Sequence, residues 1–309
     1  MRKLFPILLL VLAVFSLASC KNEPKAHEHS WGTGEVVIAA SCTAKGIRVY
    51  TCSCGVTKVE SIAATGHSYD AGTDDGNGKL VHKCTGCDAS YSEYKTYAIG
   101  DTGPAGGKIF YDCDADNGNG NADGLSSDTC GWRFLEATPY DLRFVDGSPV
   151  ISSNDTSTLY FYGHYRPFDD GANLYVNDTE TYNAANCTGT AIGTGKANTE
   201  KLVEKMGNAA YTVGSGSGKS ALYASKLCTD LTYGTKDDWF LPSKDELNLM
   251  YVNRDAIANF DSKIYWTSSE FPSDLDYIWS QHFGNGVQEE VERLYGYDMN
   301  RRVRPIRSF

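Results

Sequence analysis

The chain has 309 residues, with 28 Lys+Arg against 39 Asp+Glu and a formal net charge of −11. That sign argues against nucleic acid or an anionic lipid surface as partner, because phosphate binding is driven by clustered Lys and Arg. Ten cysteines are many for a reducing compartment and ordinary for an exported protein.

The first segment reads as an export signal. Arg2 and Lys3 precede an apolar run from Leu4 to Leu17, broken by Pro6 and Ser16 and too short for a comfortable transmembrane helix. It ends in Leu17-Ala18-Ser19-Cys20, which resembles a bacterial lipobox, where the thiol is acylated and becomes the new N-terminus. The resemblance implies a lipoprotein signal peptide over residues 1–19, a lipid anchor at Cys20 and a place in the cell envelope, at the outer membrane or cell surface. Removing Arg2 and Lys3 with that peptide leaves 26 basic against 39 acidic residues, net −13, and setting Cys20 aside leaves nine thiols. Nine is odd, so complete intrachain pairing fails, and a metal site or an unpaired thiol is expected. No later segment approaches 18 apolar residues, so the acyl chains are the expected membrane contact.

Residues 20–34 are polar without apolar period and read as a tether. A small cysteine-containing β-module is expected over 35–96, with strands at Glu35–Ala39, Ile47–Thr51, Val56–Ile62, Lys79–His82 and Ser90–Tyr94. At that size a core alone is marginal and staples are expected. Cys52-Ser-Cys54 and Cys84-Thr-Gly-Cys87 resemble the two knuckles of a zinc ribbon, whose four thiolates would hold a tetrahedral Zn2+. Disulfides are the competing reading, favoured by export. With Cys42 the module holds five thiols, a number that zinc plus a lone Cys42 satisfies. The stretch HSWGTGEVVIAASCTAKGIRVYTCSCGVTKVESIAATGHSYD resembles repeat units of bacterial cell-surface proteins, which implies a spacer or interaction module.

From Tyr97 the texture is that of one α+β domain, 97–309. Strands are expected at Lys108–Tyr111, Trp132–Ala137, Ile264–Ser268, Tyr277–Phe283, Val287–Arg293 and Arg302–Arg307, with Gly284-Asn285-Gly286 as a hairpin turn. Helices are expected over Asn198–Ala210, over Ser220–Cys228 and from Ser243. There Ser243-Lys-Asp-Glu246 forms a capping box, and Leu247, Met250 and Tyr251 make the buried stripe. Disulfides Cys113–Cys130 and Cys187–Cys228 would close the long irregular loops, with other connectivities of these four thiols as alternatives. Asp112, Asp114, Asp116 and Asp123 follow the spacing of a calcium loop, with Asn117 at the sixth place and a plain solvated acidic loop as the alternative. Val213-Gly-Ser-Gly-Ser-Gly-Lys219-Ser220 lacks the first glycine of a phosphate loop and reads as a flexible connection. The six histidines suggest no catalytic triad.

In order, the segments AIGDTGPAGGKIFYD, GWRFLEATPYDL, AIGTGKANTEKLV, LYASKLCTDL, DWFLPSKDELNLMY, YWTSSE and VRPIRSF resemble the C-terminal domain family of bacterial collagen-like surface proteins. That family is in turn similar to the formylglycine-generating-enzyme and C-type-lectin-like fold. The resemblance implies a lectin-like α+β head and a non-enzymatic adhesion or binding role toward a glycan, host protein or envelope ligand, with no nucleotide. The enzymatic form of the fold needs a reactive cysteine pair near its C-terminus, and this chain has no Cys after Cys228. Trp266, Trp279, Arg302, Arg304 and Arg307 are the candidate ligand contacts, the arginines forming the one basic patch. Their competing reading is structural: core aromatics, and arginines paired with Asp245 or Glu246. A cell-wall glycan hydrolase on the same fold, or an envelope spacer, are the alternatives.

Overall fold

The computed structural model describes residues 28–115, 124–153, 187–206, 223–273, 277–292 and 301–309. It mixes helices and strands, with strands dominating and gathered into several small sheets, which is compatible with the expected α+β class. The chain divides into two compact units, Met1–Asp70 with Lys83–Ser90, and Ala71–His82 with Tyr91–Phe309. Residues 71–82 and 91–96, which the sequence groups with the small module, thus fall in the larger unit.

The smaller unit is built on an antiparallel sheet of β1 (Glu35–Ile38), β2 (Gly46–Thr51) and β3 (Thr57–Ile62), in that order. Alternation in β2 and β3 fixes the register Val49↔Val59 and Gly46↔Ile62. Val36, Val37, Ile38 and Val59 are exposed, so this sheet buries little of its own apolar surface. A unit of this kind needs a staple beyond hydrophobic burial.

In the larger unit β4 (Thr73–Asp74), β5 (Lys79–Lys83) and β6 (Ser90–Tyr94) form a second three-stranded sheet. A third joins β7 (Lys108–Asp112), β8 (Phe134–Ala137) and the last strand of the chain, β14 (Ile306–Ser308), with β8 central. A central strand is covered on both faces, and Phe134, Leu135, Glu136 and Ala137 are all buried. β9 (Leu142–Val145) and β10 (Ser148–Ile151) make a hairpin around Asp146-Gly147, both at positive φ (51° and 85°), the backbone a tight two-residue turn requires. β11 (Ile264–Glu270), β12 (Tyr277–His282) and β13 (Gln288–Glu292) form the last sheet. The expected turn 284–286 connects β12 to β13, with the Gly286 amide donating to the His282 carbonyl at 2.7 Å.

Among the described residues, five helices accompany these sheets: α1 (Ser127–Cys130), α2 (Gly195–Met206), α3 (Ala224–Thr229), α4 (Lys244–Val252) and α5 (Arg254–Ile257). α4 begins as its sequence dictates. Ser243 Oγ accepts from the Glu246 amide at 3.3 Å, and Glu246 Oε2 accepts from the Ser243 amide at 2.7 Å. Leu247 and Met250 are buried beneath it, beside a half-buried Tyr251. They join a core with Phe110, Leu135, Phe240, Tyr265 and Ile306, while Leu202, Leu227, Trp239, Trp266 and Ile278 form a second cluster. Among the described residues no helix is long and apolar enough to cross a membrane.

Candidate functional site

The densest chemistry lies in the smaller unit. At the end of β2, Trp31 bridges Cys52, whose amide donates to the Val56 carbonyl at 2.8 Å while the Gly55 amide donates to the Cys52 carbonyl at 2.8 Å. This tight turn puts Cys54 at its tip, with Sγ 3.4 Å from His29 Nδ1. A second knuckle has the same construction. Tyr69 bridges Cys84, the Cys84 amide donates to the Ala89 carbonyl at 2.8 Å, and Cys87 Sγ stands 3.3 Å from His67 Nδ1. Cys42 joins this second group, its Sγ 3.7 Å from that of Cys84.

Backbone bonds hold Cys42 and His67 in register: the Thr65 amide donates to the Ser41 carbonyl at 2.9 Å and the Gly66 amide to the Cys42 carbonyl at 3.1 Å. Gly86 permits the approach, since a Cβ there would lie 3.1 Å from Cys42 Sγ. Its amide points at Cys84 Sγ at 3.5 Å. That amide foremost, with the His67 imidazole, pulls the Cys84 thiol down to about 6. Cys42, whose thiol bonds to Cys84, is pushed up to about 11. The four ligand atoms of Cys42, His67, Cys84 and Cys87 all lie within 4.8 Å of one another, as do the three of His29, Cys52 and Cys54.

The expected zinc set is therefore regrouped. Cys52 and Cys54 belong to one cluster and Cys84 and Cys87 to the other, because each knuckle folds back onto its own histidine rather than onto the other knuckle. No disulfide joins any of the nine cysteines described. The expected bridges Cys113–Cys130 and Cys187–Cys228 are absent, and two of these thiols donate to backbone carbonyls instead: Cys113 to Trp132 at 3.3 Å, Cys187 to Asn198 at 3.5 Å. Burial pushes Cys113 and Cys187 up to about 12 and raises Cys228 also, so these three stay protonated at neutral pH.

The basic patch of the larger unit turns inward. Arg304 is fully buried, with Nε donating to Asp141 Oδ1 at 2.7 Å, Nη1 to the Thr138 carbonyl at 3.0 Å and Nη2 to the Asn259 carbonyl at 2.6 Å. Arg302 reaches the other oxygen of Asp141 at 2.9 Å and Asp261 at 2.5 Å. Arg307 forks onto Asp238 at 2.7 and 2.9 Å and touches Glu136 at 3.2 Å. Against the upward push of burial, that fork holds the Asp238 carboxyl below its ordinary value. Guanidiniums this deeply buried persist only when carboxylates and carbonyls compensate their charge, and these partners hold all three arginines inside the unit. The three pair with Asp141, Asp261, Asp238 and Glu136, in place of the expected Asp245 and Glu246.

Trp266 is buried under the Arg301 guanidinium, 4.9 Å from its ring centre. Trp279 keeps a half-buried ring, with Lys244 Nζ at 4.4 Å over it and Phe271 edge-on. Of the expected calcium ligands, Asp112 is forked by Arg133 at 2.9 Å for both bonds, and Asp114 accepts from the amide and hydroxyl of Ser127. These protein donors take the oxygens that calcium would need. Asp116 and Asp123 lie outside the described residues, as do Cys20 and the Val213–Ser220 loop.

No family model matches this chain. No curated protein matches it either.

His29, Cys42 and His67 are the residues that sequence reasoning missed. The signal was present: His29-Ser-Trp31 recurs as His67-Ser-Tyr69, each ahead of a cysteine pair.

Proposed function

We propose that the chain is a lipid-anchored cell-envelope protein, binding rather than catalytic, which displays its larger unit toward a glycan or extracellular protein ligand. The observation that carries this reading is Leu17-Ala18-Ser19-Cys20 behind a charged and apolar leader, followed by a polar tether. The resemblance of the C-terminal two-thirds to the collagen-like surface-protein domain adds a C-type-lectin-like head to the reading, and the small β-module is a spacer or interaction module. An α+β unit of short sheets around a buried core is compatible with such a head.

The internal ion pairs of Arg302, Arg304 and Arg307 remove the basic patch from consideration, so the ligand is a neutral glycan or a protein surface rather than a polyanion. Of the five residues expected to touch it, Trp279 alone keeps a partly open ring, and the contact is centred there, with Lys244 and Tyr277 beside it. The test is a panel of glycans and extracellular matrix proteins offered to the full chain, with and without calcium. A ligand whose binding falls at least tenfold in Trp279→Ala supports the reading. No ligand above background under either condition, or one indifferent to Trp279, counts against it.

A further inference from the structure

Residues 29–94 carry an internal duplication, and among the described residues one copy has four ligand atoms. The strand orders β1-β2-β3 and β4-β5-β6 repeat each other. His29, Trp31, Cys52 and Cys54 recur as His67, Tyr69, Cys84 and Cys87. In both copies the aromatic pairs with the first cysteine, His Nδ1 meets the second cysteine, and the imidazole lies against the aromatic ring, at 5.1 and 5.6 Å between centres. Cys42 supplies a fourth ligand atom to the second copy, whereas the first has three among the described residues.

Spacing decides what the second cluster is for. Thiolates at about 2.3 Å from a tetrahedral zinc stand about 3.8 Å apart, and a thiolate and an imidazole nitrogen slightly less. Cys42 and Cys84 are 3.7 Å apart, and Cys87 and His67 3.3 Å. A disulfide would need about 2.05 Å. The donors are soft thiolates and an imidazole, the set that suits Zn2+ over hard cations such as Ca2+. The Gly86 amide at Cys84 Sγ is the outer-shell hydrogen bond that a metal-bound thiolate uses.

We propose that Cys42, His67, Cys84 and Cys87 bind one structural Zn2+ that staples the smaller unit, and that His29, Cys52 and Cys54 are its three-ligand copy. Closure by four protein ligands leaves no position for water, so the site is structural rather than catalytic. It fixes the Cys42 loop, the His67 segment and the second knuckle to one point, in a unit whose sheet leaves Val36, Val37, Ile38 and Val59 in solvent.

The test is metal stoichiometry on the purified full chain, with Co2+ as spectroscopic probe after chelation and refolding. The expected result is one tightly held equivalent, with visible bands of tetrahedral cobalt and a thiolate charge-transfer band. Cys42→Ser and Cys87→Ser should each weaken that equivalent at least a hundredfold, and Cys52→Ser should leave it. Near-ultraviolet circular dichroism of the larger unit's aromatics separates metal loss from global unfolding. His67→Cys should keep the metal and shift the cobalt bands toward an all-thiolate site, which a misfolded chain would not do. The proposal is overturned by a chain that retains no equivalent, by one indifferent to Cys42→Ser, or by loss of the same equivalent in Cys52→Ser, which would restore a ribbon of Cys52, Cys54, Cys84 and Cys87.

Discussion

Glu246 offers a stability test whose sign can be worked out from its surroundings. Its carboxylate is fully buried and accepts the Ser243 amide at 2.7 Å, the Gly193 amide at 2.8 Å and the Gly195 amide. Burial outweighs these donors and pushes the carboxyl from the ordinary 4.5 up to about 7. Above its ordinary value the unfolded chain has released this proton while the folded chain still holds it. Folding is therefore favoured most at acid pH and loses stability as pH rises through that window. At ~1.4 kcal/mol per pH unit, the loss amounts to about 3 kcal/mol by neutrality. Glu246→Gln removes the titration and turns an amide donor toward backbone donors, at a pH-independent cost of about 1–3 kcal/mol. Urea unfolding of both proteins from about pH 5 to about pH 8 reads the difference directly. The wild type should start ahead and lose its lead as pH rises. A lead that grows with pH would refute the reasoning, since it would mean that the three amides hold the carboxyl below its ordinary value.

Other consequences follow from the same packing. Arg304→Met takes the guanidinium from Asp141 Oδ1 and leaves Arg302 and Tyr265 on Oδ2, and it should cost about 3–5 kcal/mol in urea unfolding, with Asp141→Asn and the double variant far from additive. Gly234 sits at φ 60° with its missing Cβ 1.8 Å from the Ala105 carbonyl, so Gly234→Ala should lower the unfolding midpoint by the equivalent of about 1–3 kcal/mol. Denatured without reductant, the chain should show Cys113, Cys130, Cys187 and Cys228 all open to alkylation in a mass spectrum. Any of the four protected by a bridge would contradict the reduced thiols described above.

Much of the local structure was legible because it is written in periodicity and punctuation. The strands at 35–38, 57–62, 90–94, 277–282 and 288–292 and the Ser243 cap lie where alternation and the capping box put them. The β9–β10 hairpin is absent from the expected strands although Asp146-Gly147 is a strong two-residue turn signal. Burial of the terminal arginines was not legible. Arg304 meets Asp141 across 163 residues of sequence, and only the pairing of β14 beside β8 brings them together. The metal cluster was half legible. The cysteine pairs announce themselves by spacing, but their partners His29, His67 and Cys42 are set by how each knuckle folds back, which spacing alone does not fix.

The most direct measurement of the central claim is the mass of the mature N-terminus from chain expressed in a bacterial envelope. Display from a lipid anchor predicts a chain that begins at Cys20 and carries acyl groups, labelled by fatty acid and abolished by Cys20→Ala. A mature chain cut elsewhere, or one that begins at Cys20 without lipid, would contradict it.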